Sequence, residues 1–307
     1  MRLFLIVIAA MAGLFLVFRF TPLGHEIRSL TMADPSPRAD RLFKNYNPEN
    51  YNKAAYRLAQ KIEWGDTITP ADIAPVSDMI NRRFGNDITF LFHAVASANL
   101  SAIDALLASG ADVTMTDKAK GSARDFVYVL SMPGGPLMDQ DKINEMIRIY
   151  LKHGGDPNYR TGGGEDPLVA EVGLSGNLDG VRILLKAGAD PWANVVSKEA
   201  REDNLMTNLT LRDSQFGFFD ELIDSGYFDS LTQKQLEGFF SNIGSYAQRG
   251  DDISREIQRI TMRILKRNPH YIENDPEWNT GRIFKDHWQD PEPGVIPWDV
   301  INSEAVK

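Results

Sequence analysis

The sequence predicts an all-α fold made of repeated pairs of short helices that follows an N-terminal membrane segment. Two features of the 307 residues carry this reading. The first is self-similarity at a nearly fixed period, which takes precedence over local propensity. Three stretches share it: Leu106-Leu107-Ala108-Ser109-Gly110-Ala111-Asp112-Val113, Tyr150-Leu151-Lys152-His153-Gly154-Gly155-Asp156-Pro157-Asn158 and Leu184-Leu185-Lys186-Ala187-Gly188-Ala189-Asp190-Pro191. Each reads as a helix end, a left-handed glycine and a turn. The second feature lies upstream of these stops. Thr89-Phe90-Leu91 opens one helix, and Asn99-Leu100 opens another that carries Ile103, Leu106 and Leu107. Asp166-Pro167-Leu168 and Gly176-Asn177-Leu178 hold the same places before Val181, Leu184 and Leu185.

Taken in chain order, the first element is the uncharged run Leu3 to Phe18, bracketed by Arg2 and Arg19. As a helix it reaches ~24 Å against a hydrocarbon core of ~30 Å, a gap that Phe20 and snorkelling arginines close. Val17 to Pro22 offers no small-residue cleavage site, so residues 1–20 read as an uncleaved membrane anchor. The arginines are nearly balanced across it, and the orientation chosen puts the amino terminus inside and the body outside. Release to the periplasm after signal cleavage is the alternative. Residues 21–50, with Pro35, Pro37 and Pro48, read as a stalk whose Leu42 and Phe43 can dock on the body.

The repeat region spans 51–267 and counts about six helix pairs. Ala55, Leu58, Ala59 and Ile62 mark a helix over 52–64, and a second is expected from Ile73 to Phe84. The interval from Gly110 to Gly154 is 44 positions against 34 from Gly154 to Gly188, and the excess is assigned to a Pro-Gly loop over Ser131 to Gln140. Leu205, Leu209 and Leu211, then Phe218, Phe219, Leu222, Ile223 and Gly226, renew the rhythm. Leu236 to Ala247 and Ile253 to Leu265 form a last pair. The tail, 268–307, is rich in proline and tryptophan and is expected to be irregular and to pack on that pair.

The glycines at 110, 154 and 188 permit positive φ, and Asp112, Asp156 and Asp190 can hydrogen-bond the turn that follows. No unit buries its apolar side alone, so neighbours must stack. In Thr-Phe-Leu and Asp-Pro-Leu, Gly-Asn between helices, and Leu-Leu before Gly-Ala-Asp, the chain resembles the ankyrin-repeat family. That resemblance implies an ankyrin-repeat solenoid with short finger turns. The single residue by which the interval from Gly154 to Gly188 exceeds a period of ~33 is assigned to the first helix, between Leu168 and Gly176.

Catalytic chemistry finds little purchase. There is no cysteine, and so no thiol nucleophile, disulfide or thiolate metal site. None of the five histidines pairs with a glutamate in the zincin pattern, and Gly162-Gly163-Gly164 is followed by Glu165-Asp166 instead of Gly-Lys-Ser/Thr. The chain is therefore read as a non-enzyme without cofactor or metal. A net charge of −9, from 33 basic and 42 acidic residues, argues against nucleic acid as a partner. A protein partner remains. The family resemblance implies that fingers make the contact, here Val113 to Lys118, Asn158 to Gly163 and Trp192 to Val195. The candidate contacts are Met115, Asp117, Lys118, Asn158, Tyr159, Arg160, Trp192 and Asn194. For Trp192, packing against an adjoining finger is an equal alternative.

In layout the chain also resembles membrane-anchored ankyrin immunity proteins that protect bacteria from type VI secreted lipase effectors. The likeness runs from Phe-Lys-Asn-Tyr-Asn-Pro at Phe43 to Pro48 through the glycine-terminated repeats. Many of those proteins carry a lipoprotein cysteine, and this chain departs from them there. The resemblance implies capture and neutralisation of a phospholipase-type toxin. The alternative is an envelope scaffold that recruits a resident enzyme or transporter.

Overall fold

The computed structural model describes residues 37–44, 52–116, 125–132, 139–161, 166–194, 204–209, 216–244 and 252–274, which are mostly helical. The expected membrane segment over 1–20 and the tail beyond 274 lie outside them. Among the described residues no helix is long and apolar enough to cross a membrane. They group into two compact units, one made of 37–126 with 139–153, the other of 127–132 with 154–274.

The first unit opens with a helical lead-in, Pro37–Ala39 continuing as a π-turn over Asp40–Lys44. Ala39, Leu42 and Phe43 are buried, so this part of the expected stalk belongs to the body. Helix α1 (Lys53–Trp64) is capped by Asn52, whose side chain accepts from the amides of Ala54 and Ala55. The second helix expected over 73–84 does not form. Helix α2 (Pro70–Ile73) gives way to a 3-10 segment over Ala74–Met79 that kinks at Val76. The apolar spacing there is helical, but Pro75 has no N–H to extend α2 and restricts the residue before it.

Helix α3 (Phe90–Ala96) starts at Thr89, whose hydroxyl accepts from Phe92 N–H, and α4 (Leu100–Ala108) starts at Asn99. At the end of α4, Gly110 has φ of 89°. This lets its own N–H reach Leu107 O and that of Ala111 reach Leu106 O, which satisfies two carbonyls of the last turn. Helix α5 (Phe126–Leu130) begins at the last residue of this segment of the unit. Helix α6 (Gln140–Lys152), capped by Asp139, has 13 residues against 9 in α4, so the long interval before Gly154 holds an added helical turn, while most of the loop expected over Ser131 to Gln140 lies outside the described residues. Within the unit α1 packs on α3, α3 on α4, and α4 on α6.

The second unit carries a two-stranded antiparallel ladder, β1 (Arg160–Thr161) with β2 (Asp166–Pro167). Helix α7 (Leu168–Leu174) and α8 (Leu178–Lys186) follow. The remaining helices are α9 (Leu205–Leu209), α10 (Phe216–Asp224), α11 (Gln233–Gly244), α12 (Asp252–Arg267) and α13 (Pro269–Asn274). Helix α7 packs on α8 and α9, α9 on α11, and α10 on α12. The approach of α9 to α7 is close: a Cβ on Gly173 would run into the Leu205 Cδ1 methyl.

Two expectations are corrected here. Helices α3 and α7 both have 7 residues and α4 and α8 both have 9, with Asn99 and Asn177 at equivalent caps. The extra residue after Gly154 therefore lies ahead of Leu168, not inside the first helix, where an insertion would shift the helix's apolar face. The tail, in turn, is not irregular from its start. Tyr271 on α13 is fully buried against Phe240, with ring centroids 5.2 Å apart. Asn268 just before it is buried too, donating to Phe228 O and Ile264 O and accepting from Leu231 N–H.

Gly188 ends α8 with φ of 96° and nothing within 4 Å of an added Cβ, so Gly188→Ala should be penalised by backbone conformation alone. A loss of about 1–2 kcal/mol in urea unfolding is expected, and a smaller one for Gly188→Asn, which tolerates the left-handed region better.

Candidate functional site

The finger turns begin with one local device used three times. Asp112, Asp156 and Asp190 each accept, through Oδ1, the amide two residues on: Thr114 at 2.8 Å, Asn158 at 2.8 Å and Trp192 at 2.9 Å. These bonds close the turns that follow Gly110, Gly154 and Gly188, as the sequence leads one to expect. A second device was not foreseen from the sequence. Asn81 donates Nδ2 to Gly110 O at 3.1 Å and accepts Asp112 N–H at 2.8 Å. Asn158 makes the same pair with Gly188 O at 3.1 Å and Asp190 N–H at 2.7 Å. Each asparagine thus clamps the next glycine turn along the chain. Its signal is faint but readable, an asparagine 29 or 30 residues before the glycine.

This geometry sorts the candidate contacts. Asn158 is exposed, but its side-chain amide is spent on the clamp. Trp192 is half-buried: its Nε1 donates to Tyr227 O at 2.9 Å, and its ring meets Phe228 and Phe239 edge-on at 5.5 and 6.2 Å. Of the two readings open for Trp192, packing is the one its surroundings favour. Arg160 leads off β1 and reaches the next finger, where Nη1 donates to Asn194 O at 2.9 Å. Asn194 itself is exposed. Tyr159 is half-buried at the base of the hairpin, its carbonyl accepting Leu168 N–H at 2.9 Å, and Met115 is half-buried on the first finger. Asp117 and Lys118, and the glycines at 162–164, lie outside the described residues.

Electrostatics on the neighbouring helices are largely self-contained. Arg182 on α8 joins Glu221 on α10 at 2.7 Å and Asp179 at 2.7 Å, with its guanidinium over the Phe218 ring. Asp220 on α10 joins Arg259 and Arg263 on α12, and the bond from Arg259 holds the Asp220 carboxyl below its usual range. Asp104 on α4 is likewise lowered by the Lys152 and His153 side chains, and Asp104 and Lys152 both line a groove between α4 and α6. Glu171 on α7 differs: it is half-buried, and burial, then repulsion from Asp166, pushes its carboxyl up. Among the described residues no three His, Asp or Glu side chains converge on a point fit for a metal ion. No family model matches the sequence, and no curated protein is significantly similar to it.

If Trp192 is a packing residue, Trp192→Ala should cost about 2–4 kcal/mol, since it removes an aromatic body and leaves the Tyr227 carbonyl without its donor. Denaturant unfolding of the full chain measures this directly; an unchanged midpoint would return Trp192 to the exposed contacts.

Proposed function

We propose that this chain is an ankyrin-type solenoid that binds a protein, held at the bacterial inner membrane by residues 1–20 with its body in the periplasm. Its role is that of an immunity protein: it captures a secreted phospholipase-type toxin and covers the route by which lipid enters that enzyme. The observation that carries the binding reading is the repeated turn. Glycine stop and aspartate closure recur at all three turns, and the asparagine clamp joins them at the turns after Gly110 and Gly188, so a partner need not order those fingers. The toxin reading rests on layout and on the apolar run, which would keep the protein close to the lipid at risk.

With Trp192 and Asn158 engaged in the fold, the contact residues reduce to Met115, Tyr159, Arg160 and Asn194, with Asp117 and Lys118 beside them. Tyr159 and Arg160 are of the kinds that dominate interface energetics. A binding role, without catalysis, suits this set, which offers a flexible thioether, a phenol, a guanidinium and an amide but no activated nucleophile.

The test is affinity capture with the full chain in detergent, from the cell that makes it, followed by mixing with whatever is retained. The expected result is one secreted lipase whose activity falls to background at equimolar ratio. Retention of resident envelope proteins with unaltered activity would contradict the toxin reading and support the scaffold. A Met115→Ala, Tyr159→Ala, Arg160→Ala variant should lose at least about tenfold in affinity, equivalent to ~1.4 kcal/mol, with its helical signal unchanged.

A further inference from the structure

His93 on α3 is fully buried, a position the proposed binding role does not use. Its Nε2 lies 2.9 Å from Ala59 O on α1. A carbonyl only accepts, so Nε2 carries the hydrogen and Nδ1 is the bare nitrogen of a neutral ring. Nδ1 is shut off from solvent and has no hydrogen-bond partner. Across from the ring stands Phe43 of the lead-in, with centroids 5.0 Å apart, and Phe43 in turn packs on Phe84 and Phe90 at 4.6 and 5.1 Å. The pocket that accepts Phe43 thus has one wall that can gain a charge.

We propose that His93 makes the seating of the lead-in pH-sensitive: acid protonates the ring and loosens residues 37–44 from the helices, freeing the stretch that joins the apolar N-terminal run to the body. Protonation places a second N–H on Nδ1, which in the seated state points at no acceptor, and a positive charge in an aromatic pocket. Charged groups on both flanking elements act on it. Glu63 on α1 favours the charge and Arg38 on the lead-in opposes it, while burial, the largest influence, opposes it and lowers the imidazole below its ordinary range. The seated state therefore binds fewer protons than the released state. Seating is complete above the ordinary histidine range near ~6.5 and weakens as pH falls from there, by up to about tenfold per pH unit, until the seated ring itself titrates.

The remaining attachments explain why release would be local. Glu63 accepts the amides of Arg38 and Ala39 at 3.1 and 2.8 Å, Tyr56 donates its hydroxyl to Asp40 at 2.6 Å, and Arg38 donates to Ser97 Oγ at 3.1 Å. These bonds are partly exposed and can be exchanged for water at little cost. Ala39, Leu42 and Phe43 are the buried apolar attachments, and of the rings around Phe43 it is His93 that changes charge at mild acidity.

Hydrogen exchange of the full chain in detergent, corrected for the intrinsic pH dependence, tests this between about pH 7.5 and about pH 5. Amides of 39–44 should lose about tenfold or more in protection while those of α7 and α8 hold theirs. His93→Gln, which can still donate to Ala59 O but cannot titrate, should abolish the difference, and Phe43→Ala should release the segment at neutral pH. Equal protection at both values, or the same pH response in His93→Gln, would overturn the proposal. If His93→Gln does not fold, a ¹⁵N titration of the imidazole in the unaltered chain decides instead: a midpoint below ~6.5 supports it, and one at or above that value overturns it.

Discussion

A helix that stops on a left-handed residue leaves backbone groups facing outward, and those groups must be paired or stay wet. The turn after Gly110 and the turn after Gly188 meet this constraint in the same way. Inside the turn, the N–H of the residue after glycine reaches back five residues, and an aspartate closes the next bend. The glycine carbonyl and the aspartate N–H are then left over, and an asparagine about one period earlier takes both. This bond pair ties the turn after Gly188 to Asn158 in the turn before it, and ties the turn after Gly110 to Asn81, so both turns depend on an earlier stretch of chain for their conformation.

Buried amides extend the same logic into the interior. Asn99 caps α4 with its oxygen and spends its Nδ2 hydrogens on Ile62 O and Asp66 O at 3.2 and 2.9 Å, the carbonyls at the end of α1. Asn268 does the equivalent for the turn after α10. In each case a side chain whose donors and acceptor are all used replaces water at a helix end. The cost of burying it is offset only because every group finds a partner. Aliphatic and aromatic side chains then fill the space between helices held at these fixed separations, with Phe228, Phe239 and Phe240 fully buried around the turn that receives Trp192.

Much of this was legible in the residues. The glycine stops, the aspartate closures, and the caps at Thr89, Asn99 and Asn177 are local, and local chemistry can be read from a single stretch of chain. What failed was either a conflict between two signals or a matter of distance. Between 73 and 84 the apolar spacing suggested a helix while Pro75 forbade one, and the proline prevailed. Trp192 looked equally fit for contact or packing because its partners, Tyr227 and Phe239, are far along the chain. The place of the extra residue after Gly154 could not be fixed by counting alone, since a hairpin and a helix absorb an insertion at very different energetic cost. Function was less legible than fold. Turns made rigid by a recurring clamp argue for a binding surface, but a surface does not name its partner, and the toxin reading stands on the N-terminal run and the layout of the repeats.

The central claim is that an asparagine about 30 residues earlier holds the turns after Gly110 and Gly188, and amide exchange at two positions tests it most directly. Asp112 and Asp190 are exposed side chains on exposed turns, yet their backbone N–H groups are bound by Asn81 and Asn158. Residue-resolved exchange should find both amides protected, with Asn81→Ala deprotecting Asp112 alone and Asn158→Ala deprotecting Asp190 alone. Exchange of both amides at the rate of an open chain in the unaltered protein would contradict the account.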